Sequence, residues 1–565
     1  MKRWKKWSAA FLAACFTAVT ALGEVPTMPE VTTEMTDPFF WMRDLADTRQ
    51  VLATEEEIQA FNQSFIDTPD CCMTDFRGAS RYFHEKALYR AIWRSEYNDA
   101  SSVLSMYHYD IDGEEVSGNM VYEALGNIGG EDAKELAKTR FGIAVHRSDV
   151  IALPSLLLAT DEKGDADYNF YQLSSVRVNE PVVVKATSKD GKFYYCDTDC
   201  CSGWIASEDI AICEDKAEWL EAWDFPSSEA IVINEGKFYM EASNTNPDVS
   251  ELLLTMGTVL RRVPEEDFDH DVIMRMPYYN YAVYIPVRKA DGSYDKTIAL
   301  ISMNHFVSEG YLPLTTENIL KVAFSKLGER YGWGNMLKAS DCSGYMRDVY
   351  RCFGLILPRN TTWQQAMPVR KIDVSEATVE EKQEALRTMP PGAILYFNGH
   401  EMMYLGHVED KFYVLSCLSN IRSFEGEESV KVASVAINSL DVHRMNGMTW
   451  MEALTTLLVP YEKEVVVEET QETEEAAEGT EGIEVAAEGT EETPEETEGT
   501  PEGTEEAEEG AKEAEEGEII DDTLAPEEEA AAEEDIESLD GAEMTGDAQV
   551  LEEKSIEEME EAAAE

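Results

Sequence analysis

Cys342 is the residue whose surroundings most clearly suggest chemistry. It stands in Ser340-Asp341-Cys342-Ser343-Gly344 and is followed by Tyr345, Met346, Val349, Tyr350 and Phe353 at helical spacing, with Gly354 as the stop. That pattern starts a helix at or near Cys342. A helix N-terminus favours an anion, so it supports the thiolate, the nucleophilic form of the side chain. Asp, Ser and Gly around the thiol argue for a cleft rather than for the middle of an apolar helix face. A thiolate needs a base, and His400 lies 58 residues downstream in Phe397-Asn398-Gly399-His400. Directly after it, Glu401-Met402-Met403-Tyr404-Leu405-Gly406 reads as a core strand ending in a glycine turn. Cysteine on a helix start and histidine on a strand, in that order, suit acyl transfer through a thioester. On spacing alone, a structural histidine is the commoner reading of such a residue.

These side chains need a scaffold. Thr315 starts a helix whose apolar face is Ile319, Val322, Ala323 and Leu327, with Gly328 ending it. Upstream, Gly142 to Ile212 holds short β-rich runs such as Pro181-Val182-Val183-Val184 and Ser202-Gly203-Trp204-Ile205, separated by turns such as Lys189-Asp190-Gly191. That is small-barrel grammar. A second β-rich section runs from Ile231 to Met303. Thr54-Glu55-Glu56-Glu57 has capping-box spacing, and Ile58, Phe61 and Phe65 follow at helical intervals. The chain to about residue 130 therefore reads as mostly helical.

The motifs Tyr331-Gly332-Trp333-Gly334, Asp341-Cys342-Ser343-Gly344, Leu357-Pro358-Arg359-Asn360-Thr361 and Gly399-His400-Glu401-Met402-Met403-Tyr404-Leu405-Gly406 together closely resemble the NlpC family of papain-like cell-wall cysteine peptidases. Gly310-Tyr311-Leu312-Pro313-Leu314-Thr315 and Ser202-Gly203-Trp204-Ile205 are similar to the branch with two bacterial SH3-like barrels, and Glu57 to Asn62 to its N-terminal stabilising domain. The resemblance spans about residues 38 to 461. It implies a multidomain α+β chain with a helical domain 24–135, SH3-like barrels 136–225 and 226–310 and a papain-like peptidase domain 311–461, while the residues at the two ends read as a signal peptide 1–23 and a disordered Glu-rich tail 462–565.

The resemblance further implies hydrolysis of the γ-D-glutamyl–diamino acid amide of peptidoglycan stem peptides, with preference for a free N-terminal L-alanine and no cofactor. Cys342 would be nucleophile and His400 base, then acid. Asp341 and Ser343 would contact the substrate amine, and Thr361 would line the cleft. A carboxylate beside the nucleophile attracts an ammonium, and the N–H groups of a helix start can hold an oxyanion. The family's third polar residue is usually a histidine on the next strand; here Lys411 to Cys417 puts Ser416 there. A hydroxyl orients an imidazole less well, which keeps two other readings open, a catalytically weak or inactive wall-binding protein and a thiol acyltransferase. His407 and His443 are alternative partners, although both read as surface residues.

The chain of 565 residues carries 46 Lys+Arg against 113 Asp+Glu, a net charge of −67. Its last 104 residues hold 44 of the acidic residues, three lysines and no aromatic residue. Such a segment self-repels and cannot bury a core. The acidity excludes nucleic-acid binding through a basic surface. Lys2, Arg3, Lys5 and Lys6, the uncharged run Trp7 to Leu22 and the exit Ala21-Leu22-Gly23 predict an export signal, hence a periplasmic or envelope protein without a transmembrane helix. Leu12-Ala13-Ala14-Cys15 admits a lipid anchor on Cys15, which the apolar residues after it disfavour. Cys196, Cys200 and Cys201 lack paired metal-ligand spacing, so no metal is expected, and disulfide pairing among the remaining cysteines is not deducible.

Overall fold

The computed structural model describes residues 26–464 apart from 106–107, 111, 161–162, 166, 270–272 and 423–427. The expected export signal, Cys15 and nearly all of the acidic tail lie outside the described residues. None of the described helices is long and apolar enough to cross a membrane.

The N-terminal region contributes α1 (Glu55–Ile66), α2 (Glu85–Ser105) and α3 (Gly118–Gly126). Thr54 caps α1 with the expected reciprocal bonds to Glu57, and Ile58, Phe61 and Phe65 are buried. Among the described residues, this region's apolar side chains join larger clusters. Val31 to Cys71 packs into the same cluster as the C-terminal domain, whereas Ile92 to Ile128 packs with barrel residues Ala152, Tyr171 and Trp204. Periodicity predicted the helices but not that their apolar faces serve two different neighbours.

The first β region is a seven-stranded antiparallel sheet. Its strands are β1 (Arg140–Ala144), β2 (Ser148–Ile151), β3 (Gln172–Val176), β4 (Pro181–Thr187), β5 (Phe193–Asp197), β6 (Ser202–Ala206) and β7 (Ile210–Ile212), in the order β3-β2-β6-β5-β4-β1-β7. The Val182, Val184, Cys196 and Ile205 side chains fill its interior. Helix α4 (Lys216–Trp223) leads to the second β region, which forms three smaller sheets around Ile231, Leu254, Val283 and Ile301.

The C-terminal domain sets helices against a six-stranded sheet. Helix α5 (Thr316–Phe324) starts at the Thr315 cap and ends before Gly328, which sits at φ +83°. Next come α6 (Cys342–Arg351), α7 (Thr361–Gln365), β8 (Val369–Asp373), α8 (Val379–Arg387), β9 (Ile394–Phe397), β10 (His400–Val408), β11 (Lys411–Arg422), β12 (Ser429–Ser439), α9 (Trp450–Ala453) and β13 (Thr456–Lys463). The sheet order is β8-β13-β9-β10-β11-β12, antiparallel throughout. Gly406 does not end β10 as the sequence suggested. The strand continues to Val408 through a register shift at Gly406. Residues Glu401 to Leu405 are all buried, so β10 is covered on both faces.

Candidate active site

Asp341 is the N-cap of α6, and Cys342 is its first residue. The Asp341 Oδ1 accepts from the Gly344 N–H at 2.7 Å, and its Oδ2 from the Gly334 N–H at 3.0 Å. Arg359, just before α7, grips the same carboxylate with Nη2 at 2.7 Å from Oδ2 and Nη1 at 3.2 Å from Oδ1. Its Nη1 also donates to Ser343 Oγ at 3.0 Å and its Nε to Ser174 Oγ on β3 at 3.0 Å. Burial opposes the charge on Arg359, but the Asp341 carboxylate outweighs it and holds the guanidinium ionised. The pair thus fixes the first turn of α6 and ties it to the first β region. Sequence reading named Asp341 and Ser343 for substrate contact but not Arg359, although it quoted the Leu357-Pro358-Arg359 run.

That β region meets the nucleophile loop at further points. Gln172 Nε2 donates to the Gly334 carbonyl at 3.2 Å, and Arg147 Nη2 donates to the Asn335 and Ala339 carbonyls at 2.6 and 3.0 Å. The Trp333 N–H reaches the Asp167 carbonyl at 3.0 Å, and the rings of Trp333 and Tyr168 lie 5.1 Å apart. Gly334, Asn335, Leu337 and Lys338 all take left-handed backbone angles in this loop.

The Cys342 thiol is half-buried. Burial first, then the Asp341 and Glu401 carboxyls, push it well above its usual range, while the Glu401 and Ser343 N–H groups pull the other way. The helix end was expected to favour the thiolate. Its contribution, about 0.3–1 kcal/mol, is outweighed here by desolvation and neighbouring carboxyls. His400 opens β10, opposite Phe397, across the Asn398-Gly399 turn in which Gly399 takes φ +82°. Its ring lies 5.3 Å from Phe397 and 5.1 Å from Trp450. Burial, then the Arg444 guanidinium, push its imidazole down to about 3. Both shifts keep the thiol and the imidazole neutral at rest, and no hydrogen bond joins them: His400 Nε2 has no partner, and alternation along β10 turns its ring to the face opposite Glu401.

Ser416 is fully buried on β11, and continuing the β10–β11 register sets it opposite Met402, on the face of the sheet that carries His400. The expected hydrogen bond is not formed: Ser416 Oγ and His400 Nε2 are both buried without a partner. Their positions are diagonal across the two strands, beyond the reach of a short hydroxymethyl side chain. His407 is exposed and near Arg387, and His443 pairs by backbone with Thr449, so neither replaces Ser416. Thr361 is the half-buried first residue of α7, which Gln364 ties to α6 through a 3.3 Å bond from Nε2 to the Ser343 carbonyl.

Glu401 was overlooked, being read only as part of a core strand. It is fully buried, with neither carboxyl oxygen hydrogen-bonded. Burial, then Asp341, raise its carboxyl well above the ordinary range, with Arg359 opposing. The signal was present in the sequence: an acidic residue inside an apolar run beside a candidate base. Among the described residues there is no cluster fit for a metal ion, and all nine cysteines are free thiols.

Residues 328–458 match the NlpC/P60 family, and residues 156–206 match the SH3 domain of SH3b1 type. Among solved structures, an NlpC/P60 endopeptidase from Photobacterium damselae subsp. piscicida is similar over 77% of this chain and 99% of its own, with 16% identity and a TM-score of 0.61. An NlpC/P60 family protein from Bacillus cereus ATCC 10987 covers 57% of this chain and 100% of its own, at 15% identity and a TM-score of 0.39. A search of curated proteins finds no match.

Proposed function

The chain carries an NlpC/P60 domain behind an SH3b1-type barrel, and from that premise we propose that it is an exported cysteine endopeptidase of peptidoglycan. The bond cut is the γ-D-glutamyl–diamino acid amide of the stem peptide, in stems with a free N-terminal L-alanine. The observation that carries this reading is a half-buried thiol at the first position of a helix, in the matched domain, with His400 opening a strand of the sheet on which that helix packs.

In the reaction, Cys342 Sγ adds to the scissile carbonyl carbon and its proton passes to His400, whose ring has to turn around the end of β10 to reach the sulfur. The helix-start N–H groups face the developing oxyanion. Collapse of the tetrahedral adduct gives a thioester, and His400 returns the proton to the leaving amine. Water, deprotonated by His400, then hydrolyses the thioester and restores the thiol. Asp341 and Ser343 supply oxygen atoms to an ammonium at the same end of the cleft, and Thr361 lines it. Because the resting pair is neutral, the thiolate forms only as bound substrate reorganises the site.

One observation favours a second reading, that of a weak catalyst retained for wall binding. His400 Nε2 and Ser416 Oγ both lack a hydrogen-bond partner, and the imidazole packs against Phe397 and Trp450. The deciding experiment is incubation of L-Ala-γ-D-Glu-diaminopimelate with wild type and Cys342→Ala, read by mass spectrometry. Release of the diamino acid by wild type alone supports the peptidase. Release by both removes Cys342 as nucleophile, and release by neither on free and N-blocked stems selects the binding protein.

A further inference from the structure

Glu401 follows His400 on β10, so its side chain leaves the opposite face of the strand. Its partner across the ladder is Tyr396 on β9, and continuing the β10–β11 register brings it level with Cys417. Those two residues identify what that face covers. The Tyr396 hydroxyl donates to Gln364 Oε1 at 3.5 Å, and Gln364 Nε2 donates to the Ser343 carbonyl. The Cys417 thiol donates to the Ser340 carbonyl at 3.0 Å. The face therefore packs on the N-terminal end of α6, and the Glu401 backbone N–H favours the ionised form of the Cys342 thiol.

A carboxyl group buried there without a hydrogen bond is costly as a neutral acid and more costly as an anion. The neutral form has one O–H to donate, and the atom beside it that gains charge in the reaction is Cys342 Sγ. We propose that Glu401 is a positioning residue for the nucleophile: as a neutral acid it hydrogen-bonds the sulfur as the thiolate forms, and as a carboxylate it opposes that charge. Ionisation of Glu401 then limits thiolate formation on the alkaline side. The groups facing it are Asp341 and Cys342 from α6, Arg359 from the loop before α7, Tyr396 from β9, Cys417 from β11 and, beside these, Tyr331 from the loop after α5. Arg359 is already committed to Asp341 and so does not neutralise a second carboxylate.

This inference rests on Cys342 being the nucleophile, but not on which bond is cut. Its test therefore uses alkylation instead of peptide cleavage. The full chain is treated with iodoacetamide between about pH 5 and about pH 10, and modification is read by mass spectrometry on the Cys342 peptide. Two coupled acids titrate as a pair, so the wild-type rate should rise over a span broader than one ionisation. Glu401→Gln keeps the size and an N–H donor but cannot ionise. It should give a single ionisation curve, match wild type within about twofold at the acidic end, and exceed it by about tenfold at the alkaline end, one unit of thiol pKa. Glu401→Met loses the donor as well and should lag Glu401→Gln at every pH. A wild-type profile that follows one clean ionisation overturns the proposal without any variant. A Glu401→Gln curve that superimposes on wild type, or falls below it at the alkaline end, overturns it too, and Glu401→Met equal to Glu401→Gln removes the donor role. Failure to cleave stem peptides with this coupling intact would instead count against the proposed function alone.

Discussion

The Asp341–Arg359 pair makes the position of Cys342 depend on a buried charge, and a double-mutant cycle measures that dependence. Asp341 is 7% and Arg359 5% exposed, so both charges are desolvated. Removing one partner of such a pair costs about 3–5 kcal/mol, because the other is left buried and uncompensated, whereas replacing both together is close to neutral. Asp341→Asn keeps a good N-cap for α6, so its cost should come from the stranded Arg359 and not from the lost cap. Arg359→Met keeps the side-chain length and strands Asp341, which retains only the Gly334 and Gly344 N–H groups and the Ser343 hydroxyl.

The expected coupling is about 3 kcal/mol, equivalent to roughly 10²-fold in an opening equilibrium. Native-state hydrogen exchange on the peptide covering α6 reads it locally, which suits a chain of several domains. Each single variant should exchange about 10²-fold faster than wild type, and Asp341→Asn/Arg359→Met should exchange more slowly than either. Single variants that exchange like wild type would refute the reasoning, as would a double variant whose acceleration is the product of the two.

Three further outcomes follow from the same geometry. The His400 imidazole is depressed to about 3, so the unfolded chain takes up a proton below about pH 6.5 while the folded chain does not; stability is complete above that and falls as pH drops toward 3. The loss is on the order of 3 kcal/mol for a partly buried group, and denaturant midpoints at about pH 7 and about pH 4 should differ less in His400→Gln than in wild type. Ser416→Ala should leave kcat/KM within about threefold and stability unchanged or higher by up to about 1 kcal/mol, since it deletes an unpaired buried hydroxyl; a tenfold fall in stem-peptide cleavage would restore Ser416 as the orienting group. A Cβ at Gly334 would stand 2.5 Å from Gln172 Cγ and 2.7 Å from the Gln172 carbonyl oxygen, at φ +57°, so Gly334→Ala should lower stability by at least about 2 kcal/mol and cut cleavage with it; wild-type melting and cleavage would show that the loop moves freely off the barrel.

Much of this site was legible because local rules govern it. Gly344 needs an acceptor at the cap, Asp341 is one, and the apolar spacing of Tyr345, Met346, Val349 and Tyr350 fixes where α6 begins. The pairing of Ser416 with His400 was not legible, because it depends on the register between two strands and on a diagonal separation that sequence spacing does not encode. Glu401 was missed for a related reason. Alternation identifies the two faces of a strand, but β10 is buried on both, so a polar residue there has no solvent face to explain it. The helical N-terminal region failed differently: its apolar positions were right, yet which core each helix joins is set by contacts more than 200 residues away, such as that of Asn62 with the Gly354 carbonyl.

The position of the first β region has a mechanistic consequence. An accessory wall-binding module on a flexible linker would leave the nucleophile indifferent to where it sits. Here Ser174 bonds the arginine that holds the helix cap, Gln172 bonds the glycine whose N–H binds that same cap, and Arg147 bonds two carbonyls of the loop between them. The barrel therefore belongs to the structure that positions Cys342, and the packing of Tyr168 against Trp333 is part of the same contact. The geometry at Cys342 thus depends on this interface, so changes to the barrel surface that loosen it should alter the reactivity of that thiol.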